Sequence, residues 1–270
     1  MKTTNMTNFK SIALSDIRFE RDHLRYITVK SENIKGRGDI SVFVPPGDDL
    51  KDLPIVLLLH GVYGSHWAWT LMAGVHLQMM DGIKNGELKP MLLIMPSDGL
   101  WGDGSGYLPH ANQNFEKWIM DDVIECVEQT IKKTSTKSDL FIAGLSMGGF
   151  GALRLGAKYG NKIKAVSGLS SMTHARQLKE FSDDDMSDLL ENNDAELSLI
   201  DVMINNRNTL PKIRFDCGQS DSLLEYNRAL HNRMLEENIP HTYQEFSGSH
   251  EWEYWEKNIF KTFKFFNEQI

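Results

Sequence analysis

A serine lies in Gly144-Leu145-Ser146-Met147-Gly148, between the apolar run Leu140 to Ala143 and a helix-like stretch carrying Phe150, Leu153 and Ala157. At a sharp strand-to-helix turn a serine presents its hydroxyl for attack on an acyl carbonyl. Gly144 and Gly148 suit such a turn, because a Cβ at either position would crowd it. The hydroxyl is a weak nucleophile at neutral pH and needs a base. In this kind of site an acid and then a histidine follow the serine along the chain. His174, His231, His241 and His250 follow Ser146. His231 falls in a helix predicted to start near Ser222, and His241 opens a strand-like run to Phe246. His250 lies in the turn Ser247-Gly248-Ser249-His250, between that run and the last helix. Loops at strand ends carry catalytic groups more often than element interiors do, so His250 is the expected base.

The acid should follow the preceding strand, Ile213 to Phe215, where Asp216-Cys217-Gly218-Gln219-Ser220-Asp221 offers two carboxylates. Asp216 would stand at the strand end and Asp221 in the loop beyond it, with Glu225 a more distant choice. Asp221 is preferred, because a loop acid can reach across to His250. Stabilising the tetrahedral intermediate takes two backbone N–H donors. Met147, next after the nucleophile, supplies one. Val62, in the His60-Gly61-Val62-Tyr63-Gly64 turn after the run Ile55 to Leu59, supplies the other, with Tyr63 as the alternative. Gly61 is expected to let the chain turn so that the Val62 amide faces the site.

These residues need a rigid frame. Ile55 to Leu59, Met91 to Met95, Leu140 to Ala143, Ala165 to Leu169 and Ile213 to Phe215 are short continuous apolar runs separated by helical stretches. Strands apolar on both faces belong to a largely parallel sheet covered by helices on both sides. Before them, His23 to Ser31 and Asp39 to Val44 read as strands, with Pro45-Pro46-Gly47 ending the second. Phe115, Trp118, Ile119, Val123, Cys126, Val127 and Ile131 form one stripe of a helix predicted over Phe115 to Lys133. Asp121 and Asp122 near its start and Lys132 and Lys133 at its end suit the helix dipole. Trp252, Trp255, Ile259, Phe260 and Phe263 mark a second helix at the C-terminal end. Without repeats or linkers, residues 1–270 read as one domain. Ser170 to Leu210 stands apart, with nine acidic and three basic residues, a net −6 out of −8 for the whole chain. It is read as a solvated helical excursion, or as a cap over the site, since it leaves a strand whose end lies among the catalytic loops.

His60-Gly61-Val62-Tyr63-Gly64, Gly144-Leu145-Ser146-Met147-Gly148-Gly149, Cys217-Gly218-Gln219-Ser220-Asp221 and Gly248-Ser249-His250-Glu251-Trp252 occur in this order. Together they resemble the esterase-D-like branch of the α/β-hydrolases. That branch includes tributyrin esterases, S-formylglutathione hydrolases, and the feruloyl and acetyl-xylan esterases of carbohydrate esterase family one. The likeness runs from about Ser41 to the end of the chain. It implies an α/β-hydrolase fold and a serine carboxylic-ester hydrolase acting on short-chain acyl or acyl-carbohydrate esters. By position it implies Ser146 as nucleophile, Asp221 as acid, His250 as base, and the Val62 and Met147 amides as the oxyanion hole. S-formylglutathione hydrolases usually carry Leu-Thr-Cys after the His-Gly pair. Val62-Tyr63-Gly64 here favours carboxylic esters over thioesters. An acyltransferase would differ only in letting an alcohol outcompete water, and a non-catalytic binding protein would not need all three side chains. Ser65-His66-Trp67-Ala68-Trp69 is rich in aromatic and polar tips, so His66, Trp67 and Trp69 are candidate substrate contacts, against a packing role for the two tryptophans.

The chain has 270 residues, 29 Lys and Arg against 37 Asp and Glu, which argues against nucleic-acid binding and against docking on anionic lipid. Two cysteines, Cys126 and Cys217, are too few for a disulfide framework or a Cys-rich zinc site. No signal-like apolar stretch occurs in Met1 to Lys10 and no run is long enough to span a bilayer, so a cytoplasmic protein is expected. Gly99 to Tyr107 lacks the spacing of a phosphate loop. No His-x-x-x-His or calcium-loop pattern occurs. The expectation is no cofactor, no metal and a small-molecule or oligosaccharide ester as partner, with oligomeric state, homo-oligomer included, left open.

Overall fold

The computed structural model describes residues 9–185 and 194–270. Within them, nine strands form one sheet. β1 (Phe9–Leu14), β2 (Leu24–Ser31) and β3 (Gly36–Phe43) pair antiparallel, and β3 continues antiparallel onto β5 (Leu92–Pro96). From β5 the sheet runs parallel through β4 (Ile55–Leu59), β6 (Leu140–Leu145), β7 (Ala165–Leu169), β8 (Lys212–Gly218) and β9 (Thr242–Phe246). The strand order reverses around β4 and β6, and the crevice at such a point lies beyond the carboxyl ends of the strands. Leu59 stands beside Gly144, Leu145 beside Leu169, and Leu169 beside Asp216, so the loops that follow share one rim.

The continuous apolar runs are explained by burial on two faces. Ile55, Leu57 and Leu59 point into one core with Trp118, Phe150 and Met172. Val56 and Leu58 point into the other with Phe141, Phe263 and Phe266. The first core is closed by α3, in which Phe115–Lys117, a π-helical Trp118–Val123 and Ile124–Thr130 run on as one helix. The wide turn lets Trp118, Ile119, Asp122 and Val123 all face inward. Asp122 was expected near the helix start as a charge that suits the dipole. It is instead fully buried and accepts hydrogen bonds from the Ser31 hydroxyl and the Asn33 amide. The helix ends before Lys133, whose ammonium donates to the Pro45 carbonyl. The second core is closed by a C-terminal helix, Trp252–Asn267, and by two helices the periodicity did not reveal, α1 (Ala68–Ala73) and α2 (Val75–Lys84). These two are short and parted at Gly74, whose φ of 56° breaks the helical path.

The acidic excursion begins with a 3-10 turn, Ala175–Glu180, and ends with helices Asp194–Leu197 and Leu199–Asn205. Residues 186–193 of it lie outside the described residues, as do residues 1–8 of the Met1 to Lys10 stretch. Both cysteines are free and buried. No helix among the described residues is long and apolar enough to cross a membrane.

Candidate active site

Ser146 sits between β6 and α4 (Met147–Lys158) with φ 53° and ψ −118°, a backbone state that costs a non-glycine residue on the order of 1–3 kcal/mol. Three backbone hydrogen bonds hold it there. Ser146 N–H donates to Leu169 O at 3.0 Å, and its carbonyl accepts from Phe150 at 3.1 Å and Met172 at 3.2 Å. A Cβ on Gly148 would overlap the Leu59 and His60 carbonyls, so only glycine lets α4 start this close to β4. Gly61 is glycine for a related reason. It opens a turn, its carbonyl accepting from the Gly64 amide at 3.2 Å, without a left-handed φ of its own. A side chain there would press on Leu145 at 2.8 Å, beside Ser146.

His250 follows β9 and reaches Ser146, with Nε2 3.0 Å from Oγ. Its Nδ1 is 3.0 Å from both carboxylate oxygens of Asp221. The acid and histidine loops are tied to each other by Gln219 N–H to Phe246 O at 2.8 Å and Ser220 N–H to Gly248 O at 2.9 Å. Burial raises the pKa of Asp221, but hydrogen bonds from His250 and from the Leu223 amide, with the imidazole charge, outweigh it. The carboxyl is held below its ordinary value and is ionised at neutral pH. An ionised acceptor on Nδ1 selects the tautomer whose Nε2 can take a proton from Ser146.

The amides of Val62 and Met147 donate no hydrogen bond among the described residues. Met147 opens α4, whose first-turn N–H groups lack intrahelical partners. The alternative donor, Tyr63 N–H, is occupied by Asp103 O at 2.8 Å. His60 steadies this loop, with Nδ1 donating to Gly61 O at 2.7 Å and Nε2 accepting from the Asp98 amide at 3.0 Å. Tyr107 adds a hydroxyl bond to His60 O at 2.9 Å. The arrangement combines a hydroxyl, a base, an oriented acid and two open donors, the parts that acyl transfer requires.

A family model described as "Putative esterase" matches residues 31–266. The chain belongs to this esterase family. An acetyl esterase from Caldicellulosiruptor saccharolyticus is 27% identical over 239 residues, covering 82% of this chain and 85% of that protein. A solved ferulic acid esterase has a TM-score of 0.79 at 22% identity, covering 92% of this chain and 98% of its own. The S-formylglutathione hydrolase of Staphylococcus aureus has a TM-score of 0.77 at 20% identity, covering 95% and 99%. The fold is the α/β-hydrolase fold, and the protein is a carboxylic ester hydrolase.

The esterase does not bring every candidate to its cleft. Asp216 is buried at the end of β8, which runs three residues further than its apolar pattern. It pairs there with Arg214 and accepts the Tyr254 hydroxyl at 2.6 Å, away from His250. Glu225 is in the first turn of the helix Leu224–Glu236, paired with Arg228. The candidate substrate contacts do not line the cavity beside Ser146. Trp69 is 1% exposed, donates Nε1–H to Leu59 O at 3.1 Å and packs edge-on against Trp252. His66 is bonded to the Ser41 hydroxyl at 2.8 Å, its pKa lowered by burial. Trp67 is exposed outside the cleft. The cavity of about 360 Å³ above Ser146 and His250 is walled instead by Tyr63, Phe181, Trp252 and Trp255. Trp252 and Trp255 show in the sequence as a helix stripe, and their place two and five residues after His250 is the signal that could have put them here. Phe181 has no such signal.

Proposed function

We propose that the protein is a serine esterase that works through Ser146, His250 and Asp221 and a covalent acyl-enzyme. The observation that carries this reading is the continuous pair of contacts, Ser146 Oγ to His250 Nε2 and His250 Nδ1 to Asp221, beneath two unengaged amides. His250 Nε2 takes the Ser146 proton as Oγ bonds to the acyl carbon, and the carbonyl oxygen gathers charge that the Val62 and Met147 amides accept. The N-terminal end of α4 favours the same charge. The tetrahedral intermediate collapses as His250 gives its proton to the departing alcohol oxygen. Water then attacks the acyl-enzyme, with His250 taking its proton and returning it to Ser146 Oγ. Asp221, ionised throughout, balances the imidazolium.

The proposed substrates are short-chain acyl esters or acyl-carbohydrate esters, a reading supported by the name of the acetyl esterase relative and the size of the cleft. A panel of nitrophenyl acyl esters beside acetylated and feruloylated sugars and short acyl thioesters tests it, with fluorophosphonate labelling as a direct probe of the serine. Oxygen esters should turn over best, and label should map to Ser146. Faster turnover of the thioesters would move the reading to a thioesterase. Label absent from Ser146 would remove the mechanism.

A further inference from the structure

The start of the acidic excursion is fastened across the cleft. The Tyr63 hydroxyl donates to the Phe181 carbonyl. Ser182 Oγ–H donates to Asp103 Oδ2 at 2.9 Å, and Asp103 N–H donates to Asp184 Oδ2 at 2.6 Å. On the other side the Tyr226 hydroxyl donates to Glu180 Oε1 at 2.9 Å. Asp103 also holds the Tyr63 amide, so residues 180–184, the Asp103 loop and the oxyanion loop form one hydrogen-bonded unit. Its effect is to lay the Phe181 ring on the His250 imidazole, centroids 5.4 Å apart and planes 23° from parallel. Trp255 meets the same imidazole edge-on at 5.0 Å.

We propose that Phe181 is a specificity-determining residue that recognises the alcohol part of the ester, and that the strap 180–184 exists to hold it there. The proposal rests on His250 being the base. His250 Nε2 must pass its proton to the departing oxygen, so the alcohol lies within a hydrogen bond of that nitrogen. The carbonyl oxygen, turned toward the Val62 and Met147 amides, leaves the alcohol on the imidazole side. The wall it meets there is the Phe181 ring, with Trp255 and Trp252 beside it. A flat apolar wall favours an alcohol whose ring offers an apolar face, aryl or cycloalkyl, over a short alkyl alcohol that cannot cover it. Selection at this wall acts on the leaving group and leaves the acyl chain untouched.

The test measures kcat/KM for phenyl, cyclohexyl and methyl acetate, and for methyl butyrate and methyl hexanoate, in wild type, Phe181→Ala, Phe181→Leu and Tyr63→Phe. In Phe181→Ala the ratios of phenyl and cyclohexyl acetate to methyl acetate should fall roughly tenfold, while the ratios among the methyl acyl esters stay put. Any general loss from a looser His250 cancels in these ratios. Phe181→Leu keeps apolar volume without the flat face and should shift the ratios the same way, which serves if the alanine variant folds poorly. Tyr63→Phe frees the Phe181 carbonyl and should shift them by a smaller factor. Unmoved ring-to-methyl ratios in folded variants, or a change confined to the acyl series, would overturn the proposal. Hydrolysis that survives Ser146→Ala would instead overturn the mechanism beneath it.

Discussion

The elbow at Ser146 and the strap at Phe181 face each other across one cleft and are held by different means. The elbow is fixed by main-chain hydrogen bonds from β7 and α4, and by glycines that neighbouring backbone leaves no room to replace. The strap caps its own 3-10 turn through the main chain, but its ties to other loops all use side chains, through two tyrosine hydroxyls, a serine, two aspartates and a glutamate. Backbone-held geometry tolerates little change in sequence, and side-chain-held geometry can be exchanged piece by piece. The contrast fits the two proposals made above, chemistry at Ser146 and selectivity at Phe181.

The largest effect should come from the elbow. Ser146→Ala should fold as wild type does and lose on the order of 10⁴–10⁶ in turnover. A variant within tenfold of wild type on acyl esters, with unchanged thermal unfolding, would break the claim that this wall does the chemistry.

Next in size is the pair of acids after β8. Asp221→Asn should cost up to about 10⁴ in kcat with little change in stability, because an amide favours the wrong imidazole tautomer and cannot balance its charge. Asp216→Asn should do the reverse. It weakens the partner of buried Arg214, so a loss of roughly 3–5 kcal/mol is expected, with near-normal kcat in the folded fraction. Denaturant melts and kcat measured on both variants decide it, and a larger kcat loss in Asp216→Asn would reverse the assignment.

What the sequence made legible follows the same division. The Ser146 turn, the Asp221 loop and the His250 turn, which the structure brings within hydrogen-bond reach of one another, were legible because each depends on local chain geometry that few residues satisfy. The choice between Asp216 and Asp221 turned on where β8 ends. Its last residues are Asp216, Cys217 and Gly218, and a strand whose buried end is an ion pair does not look apolar. The cavity walls were sought elsewhere because Trp67 and Trp69 look like a binding platform until α1 is known to turn Trp69 into the second core, against the end of β4. Phe181 could not be found at all. Its position is set by partners 118 and 69 residues away in the chain, Tyr63 and His250, and nothing in its neighbourhood in sequence marks it.

Trp69 sharpens the boundary of the backbone-held region. It braces the last residue of β4 through Leu59 O and packs against Trp252, so Trp69→Ala should destabilise by roughly 3–5 kcal/mol. Trp67→Ala, at an exposed site outside the cleft, should stay within about 0.5 kcal/mol and leave kcat/KM for small acetates unchanged. Thermal and urea unfolding of the two variants are the measurement. A selective loss of activity in Trp67→Ala would restore it as a substrate contact.

The smallest effect concerns the joint between the two regions. Arg154, on α4 just after Ser146, is buried and pairs with Glu116 of α3 and with Glu196 of the acidic excursion. Lys158 contacts both carboxylates, and the Tyr159 hydroxyl donates to Glu116 at 2.8 Å. Burial raises the pKa of Glu116, but the Arg154 and Lys158 charges and these hydrogen bonds prevail and hold it below the ordinary 4.5. The native state therefore favours the ionised carboxylate. The stability this supplies is fully present above about pH 4.5, where the unfolded chain is ionised too, and is lost as pH falls through the lower native value. Glu116→Gln keeps the shape and removes the titration. At pH 7 it should be less stable than wild type by roughly 1.5–3 kcal/mol, the scale of hydrogen bonds to a charged group. The difference in urea midpoint should narrow as the pH is lowered below 4.5. A gap that stays constant from pH 7 to pH 3 would mean that the charge on Glu116 does not help to hold α4 to α3, and that Arg154 and Lys158 are anchored by Glu196 of the excursion alone.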